Sequence, residues 1–243
     1  MSDIERRDFL VGATTLAATL AAAESAAGQS MAAEPDYSLQ SQVKGLTVPS
    51  SLTIIGTGGF GCWPALFLAL SGAKEMLLID PAMIDPLDLA RAPFRPSDVG
   101  KSKVDALADV IHTFRPNVRI TTQRRFALIE DTDIYFGEAI FDGTNERSLG
   151  EHLSKEAARR NMRYIQGFYG GLHAAASDGF LSNATFKRGA EVPVWVGGAI
   201  LAGVLSTYGA CTAASNFLFT PDDSKKSREQ LDLQLTGLSD MDK

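Results

Sequence analysis

Gly56-Thr57-Gly58-Gly59-Phe60-Gly61 lies between two short apolar runs, and this glycine turn constrains the fold more than any other stretch of the chain. Leu52-Thr53-Ile54-Ile55 precedes it with the composition of a buried strand, and a helical stretch follows. The pattern is the G-x-G-x-x-G of a strand-turn-helix unit. Glycine tolerates φ > 0 and carries no side chain, so main-chain N–H groups can approach an anion closely while the positive end of the following helix attracts it. The second run, Met76-Leu77-Leu78-Ile79, ends at Asp80, a carboxylate at a strand's C-terminal edge that can accept both hydroxyls of a ribose. Gly56, Gly58, Gly59, Gly61 and Asp80 are therefore the first candidate nucleotide-binding residues.

Downstream, strand and helix patterns alternate. A proline-bearing loop spans residues 81–96, and Lys101 to Arg115 places Val104, Leu107, Ala108 and Ile111 at the spacing of an amphipathic crossover helix. Val118 to Thr122 reads as the third strand, and Ala139-Ile140-Phe141 as the fourth, ending at Asp142-Gly143-Thr144-Asn145. A helix from about Glu146 to Arg160 precedes a fifth strand at Tyr164 to Gly167. This order predicts an α/β, Rossmann-like fold with a mainly parallel sheet flanked by helices, and Gly56, Asp80, Asp142 and Gly167 at one sheet edge. Beyond Gly171 the pattern changes to a short antiparallel C-terminal addition. Gly179 to Phe186 reads as an antiparallel strand or hairpin, Gly197 to Phe217 as a small-residue apolar helix, and Leu231, Leu233 and Leu235 as an edge strand. Val192 to Phe219 reaches the roughly 20 residues that span a bilayer. Ser206, Thr207, Tyr208, Thr212, Ser215 and Asn216 temper it, however, so a buried helix packed on the sheet is expected.

Composition narrows the function classes. The chain of 243 residues, 45% hydrophobic, supports one such domain with additions. Its net charge of -6, without a basic run on an aromatic platform, argues against a nucleic-acid partner. Two cysteines, Cys62 and Cys211, cannot form a four-thiolate zinc site, although one disulfide stays open. Cys62 reads as a small buried residue closing the turn rather than a nucleophile. His112, His152 and His173 lack a second ligand at metal spacing. At the N-terminus, Arg6-Arg7-Asp8-Phe9-Leu10 followed by an Ala/Thr/Leu-rich stretch has the form of a twin-arginine export signal, the alternative being an ordinary N-terminal helix. The expected division is a signal and linker at 1–34, a nucleotide-binding domain at 35–220 and a polar tail at 221–243, with membrane contact only through the signal.

Several motifs in register then resemble the ThiF/HesA/MoeB family of ubiquitin-activating-type adenylyltransferases, over roughly Ser51 to Phe219. Gly56 to Cys62 resembles the family's glycine loop, and Asp80 its ribose acid. Asp88-Leu89-Ala90-Arg91-Ala92 keeps the leucine and arginine of an asparagine-leucine-asparagine-arginine-glutamine element, and Val99-Gly100-Lys101-Ser102-Lys103 resembles valine-glycine-lysine-proline-lysine. The resemblance implies ATP and Mg2+ as cofactors and adenylation of the C-terminal carboxylate of a ubiquitin-like or sulfur-carrier protein by a homodimer. Arg91 and Lys103 would be the catalytic cations that stabilise phosphate charge. Asp142 and Asn145 would bind the nucleotide and its metal. The attacking carboxylate is already anionic, so no general base is demanded.

Two departures stand out. Asp142-Gly143-Thr144-Asn145-Glu146 replaces an Asp-Cys-Thr-Asp-Asn element, so a neutral amide stands where the family has its second acid, and hard cations favour carboxylates. Leu39 occupies the place of an N-terminal arginine that reaches a neighbouring subunit's nucleotide. The segment after Gly167 also lacks the cysteine of thioester-forming relatives. A catalytically reduced nucleotide-binding or partner-binding module is therefore a second expectation. A nicotinamide-dependent oxidoreductase is a third, which leaves Arg91 and the Val99 to Lys103 element unexplained. Location divides the first two, since ATP chemistry suits the cytoplasm and export favours the reduced module.

Overall fold

A computed structural model describes residues 34–170, 173–180, 194–212 and the backbone of 216–219. The chain divides into two compact units, Met1–Leu39 and Gln40–Lys243. In the first, the Ser38 N–H donates to Asp36 Oδ1 at 2.8 Å.

The second unit is built on a seven-stranded sheet. Its strands are β1 (Ser51–Ile55), β2 (Glu75–Ile79), β3 (Arg119–Gln123), β4 (Ala139–Asp142), β5 (Arg163–Gly170), β6 (His173–Ser177) and β7 (Asn216–Phe219). The spatial order is β3-β2-β1-β4-β5-β6-β7. The pairs among β3, β2, β1, β4 and β5 are parallel, and those joining β6 to β5 and β7 are antiparallel. The chain moves outward from β1 to β2 and β3, then returns across β1 to β4. That reversal opens a crevice at the C-terminal ends of β1 and β4, where ligands of such sheets bind.

Helices cover both faces. On one side lie α1 (Cys62–Ser71), α2 (Lys103–Phe114) and α4 (Val196–Cys211), and on the other α3 (Arg147–Arg159). Strand alternation decides which residues meet which layer. Leu52, Ile54, Met76, Leu78 and Phe141 pack with Ala65, Leu68, Val104, Leu107 and Ile111. Ile55, Leu77, Ile79 and Ile140 pack with Leu149, Leu153 and Ala157 of α3. Because both faces are covered, β1 and β2 read as continuous apolar runs rather than alternating ones.

The expected order of elements holds, with differences at its C-terminal part. The antiparallel strand is His173–Ser177, whereas Gly179 lies in a bend and 181–193 lie outside the described residues. β6 has an Ala-rich sequence of weak strand propensity, and its pairing with β5 and β7 on either side supplies what the sequence does not. The helix expected at 197–217 ends at Cys211, and the chain then forms β7. Its small residues serve close packing: a Cβ on Gly203 would lie 2.4 Å from Cβ of Trp63 on α1. Among the described residues no helix is long and apolar enough to cross a membrane. The expected export signal and the edge strand at 231–235 lie outside the described residues.

Candidate nucleotide site

The register brings the C-terminal ends of β1, β2 and β4 level with Gln166 inside β5: Ile55 pairs with Ile79 and Asp142, and Asp142 with Gln166. Gly56, Asp80, Gly143 and Gly167 follow directly, so the expected edge forms. Gly56 adopts φ +84, and a Cβ there would lie 2.9 Å from the Gly143 carbonyl carbon. This turn therefore needs glycine for both its conformation and its closeness to the neighbouring strand's turn. Gly61 is held as tightly, since a Cβ on it would sit 1.9 Å from the Gly56 carbonyl oxygen. Phe60 is buried beneath the turn against Gly167, Ala174 and Ala202.

Asp80 is 7% exposed and ties the turn to β2. Its Oδ2 accepts from the Thr57 N–H at 2.7 Å, and its Oδ1 from the Ala82 N–H at 2.8 Å. A carboxylate oxygen has two acceptor sites, so both oxygens retain capacity toward a ribose.

Arg91 and Lys103 converge, 12 residues apart in sequence, because one carboxylate draws them together. Asp88 Oδ1 accepts from Arg91 Nη2 and Oδ2 pairs with Lys103 Nζ, both at 2.9 Å. Asp88 is positioned by a 3-10 segment, Pro86–Ala90, whose capping box has Asp88 Oδ2 accepting from the Asp85 N–H at 3.0 Å. Burial acts to raise the Asp88 pKa, yet the Asp85 N–H, Lys103 and Arg91 together hold it below the usual carboxylate range. Side-chain exposures of 2% for Asp88, 11% for Lys103 and 29% for Arg91 make this a half-sheltered charge cluster.

The cluster borders the glycine turn. Lys103 Nζ lies 4.0 Å from where a Gly58 Cβ would be, with no other heavy atom inside that radius apart from Gly58 and its two chain neighbours. Over Gly59 lie the Tyr169 hydroxyl and Arg91 Cδ, at 1.8 and 3.0 Å from its Cβ position. Buried side-chain polar atoms without a hydrogen-bond partner include Thr57 Oγ1 in the turn, Arg91 Nε and Ser102 Oγ beside Lys103. Buried polar groups normally have partners, so orphans gathered at two cations and an open amide turn fit a polyanionic ligand such as a nucleotide triphosphate.

Asp142 belongs to a different neighbourhood. It shares the face of Ile140 toward α3 and is 1% exposed. Its Oδ2 accepts from the Tyr164 hydroxyl at 2.7 Å, and its Oδ1 from the Thr144 N–H at 2.9 Å and the Thr144 hydroxyl at 2.7 Å. Burial raises its pKa, against the lowering by those hydrogen bonds. Asn145, the other expected metal ligand, is exposed in a left-handed conformation at φ 55. Among the described residues no three His, Cys, Asp or Glu side chains are grouped for a metal. Asp142 and Asn145 as disposed do not fit a protein-held magnesium ion: one is enclosed and engaged, the other is neutral. In this arrangement Asp142 shapes the 142–146 turn that abuts Gly56.

Cys62 is fully buried, and desolvation drives its thiol far above the ordinary range, as expected of a packing residue. Cys62 and Cys211 are free thiols. Leu39 is 79% exposed. Sequence reasoning missed Asp88 as a site residue, although Asp85-Pro86-Leu87-Asp88 carries the spacing of a capping box. It also missed Tyr169, for which sequence holds no signal because the contact with Gly59 arises only from the β5 register.

Known proteins share this fold. The ThiF family model matches residues 39–179. Curated relatives include ubiquitin-like modifier-activating enzyme 5 of Drosophila persimilis, 30% identical over 95 residues, 39% of this chain and 25% of the relative. The NEDD8-activating enzyme E1 catalytic subunit of Dictyostelium discoideum is 35% identical over 104 residues, 42% of this chain and 24% of the relative. The tRNA threonylcarbamoyladenosine dehydratase of Bacillus subtilis is 28% identical over 120 residues, 48% and 47% of the two chains. This chain therefore aligns with less than half the length of each of these relatives. Among solved structures, E. coli MccB with ATP superposes with a TM-score of 0.57 at 19% identity, covering 65% of this chain and 53% of that one. Selenomethionine PaaA superposes with a TM-score of 0.59 at 22% identity, covering 72% and 62%. The sheet order, the glycine turn and the match across residues 39–179 together establish that the chain belongs to the ThiF family.

Proposed function

We propose that the chain is an ATP-dependent adenylyltransferase that activates the C-terminal carboxylate of a ubiquitin-like or sulfur-carrier protein. The observation that carries this reading is the convergence of Arg91 and Lys103 on the glycine turn, with unpartnered polar atoms at Thr57, Arg91 and Ser102. ATP held there supplies an α-phosphorus open to a carboxylate, with pyrophosphate leaving. Gly58, Gly59 and Gly61 bring main-chain N–H groups to the phosphates, Gly56 shapes the turn while its own N–H is held by the Ile79 carbonyl at 2.8 Å, and Asp80 orients the ribose. Arg91 and Lys103 are fixed by Asp88 before any ligand arrives, so they stabilise growing phosphate charge without reorganising. Their remaining task is to hold two anions, carboxylate and phosphate, within reach of each other.

The test is exchange of labelled pyrophosphate into ATP by the full chain, with ubiquitin-like and sulfur-carrier proteins ending in glycine as partners. Exchange that depends on the partner's free C-terminal carboxylate supports the reading. ATP binding with no exchange for any partner supports instead a nucleotide-binding module without turnover, which the enclosure of Asp142 and the neutral Asn145 favour. Asn145→Asp separates these two: a weakened enzyme speeds up, and a module stays silent. Dimer formation belongs to the same proposal, whereas a cleaved twin-arginine signal would favour the module without turnover. Size-exclusion chromatography and N-terminal mass spectrometry of the native protein read both.

A further inference from the structure

The phosphate end of the site is not open along its whole length. Above Gly58 there is free space up to Lys103 Nζ, whereas above Gly59 the Tyr169 phenol is packed against the turn with Arg91 beside it. Tyr169 projects from β5, two residues after Gly167, and is half-buried. Its ring packs with the cluster of Phe60, Ala174 and Ala202. The phenol and the Arg91 guanidinium also interact electrostatically, burial raising the Tyr169 pKa and the guanidinium lowering it. Resting on the nucleotide reading above, we infer that Tyr169 is a specificity-determining residue that occupies the phosphate seat over Gly59 and Arg91. A polyphosphate chain must displace its hydroxyl to bind.

Three observations support this. The phenol oxygen fills the volume that a methyl on Gly59 would take, so it narrows the approach to the turn on that side. Arg91 already donates one nitrogen to Asp88 and meets the phenol with its remaining surface, while its Nε stays without a partner. The phenol thus takes the place of an anionic ligand without satisfying the guanidinium fully, as a side chain that yields to phosphate should. Displacement exchanges a neutral hydroxyl on a guanidinium for a charged oxygen, and charge-assisted hydrogen bonds are the stronger kind.

The experiment is calorimetric titration of ATP into the full chain, as wild type, Tyr169→Phe and Tyr169→Ala, each with its unliganded melting temperature. Tyr169→Ala should bind ATP about tenfold more tightly, the factor expected when one polar contact to a charged group no longer has to be given up. Tyr169→Phe, which keeps the ring and loses the hydroxyl, should tighten binding by a similar factor, because the same polar contact with Arg91 is gone. A loss of packing alone lowers the melting temperature without tightening ATP, so tighter binding is not a structural side effect. Equal or weaker ATP binding by both variants, with wild type binding normally, overturns the inference and leaves the nucleotide reading intact. Weaker binding by Tyr169→Phe alone makes the hydroxyl a phosphate ligand and likewise overturns it. Failure of all three proteins to bind ATP overturns the nucleotide reading and this inference together.

Discussion

Asp88 holds two cations that belong to different segments, and its removal is the perturbation with the most calculable outcome. Asp88→Asn keeps the shape of the side chain but withdraws its charge from three donors: the Asp85 N–H, Arg91 Nη2 and Lys103 Nζ. Removing one partner of a buried ion pair costs about 3–5 kcal/mol. Arg91 and Lys103 retain some solvent, with side-chain exposures of 29% and 11%. Discounting for that screening gives about 2–4 kcal/mol, which for a domain near 200 residues lowers the melting temperature by roughly 5–15 °C. The same substitution frees both cations, so ATP should restore more stability to the variant than to wild type. Differential scanning calorimetry with and without ATP reads both effects.

The pH dependence follows from the same carboxylate. Its folded pKa lies below the unfolded value of about 3.9, so its stabilisation is complete above that pH and disappears as pH falls through the lower folded value. The stability gap between wild type and Asp88→Asn should therefore stay constant from about pH 5 to 8 and close below about pH 4. An unchanged melting temperature, or a gap that widens in acid, refutes the assignment of Asp88 as the counter-charge that organises the site.

Two further outcomes follow from the turn and its surroundings. Gly61→Ala forces a methyl to within 1.9 Å of the Gly56 carbonyl oxygen and should cost about 3 kcal/mol, measured by urea denaturation. Native protein should resist thiol alkylation at pH 8, because Cys62 is fully buried and Cys211, 4% exposed, is pushed up to about 11 by desolvation. Both thiols should react after unfolding in urea, as counted by mass spectrometry.

The parts of the fold legible in sequence were those written locally. The runs 52–55 and 76–79, the amphipathic spacing of Val104 to Ile111 and the glycine turn each specify their element by short-range pattern, and the parallel core formed as expected. The antiparallel addition was legible as such but its strand at His173–Ser177 was not, because the Ala-rich β6 acquires its strand conformation from neighbours on both sides. At the site, Arg91 and Lys103 were visible as motif positions, but the reason they meet was not. That reason is Asp88, held by a capping box inside a loop that reads as irregular. Asp142 shows the opposite problem. Its place at a strand end suggested a ligand, while strand parity turns its carboxylate toward α3, where Tyr164 and Thr144 engage it. Tyr169 reaches Gly59 only through the length of β5, a distance in sequence that no motif spans.

The central claim is that the glycine turn, with Arg91 and Lys103, is a seat for a nucleotide's phosphates. Equilibrium binding of ATP to wild type and to Lys103→Ala tests it most directly. One ATP per chain is predicted, with affinity falling at least about tenfold in the variant, as expected for loss of a charge-assisted contact. No ATP bound by wild type, or the same affinity in both proteins, would contradict it.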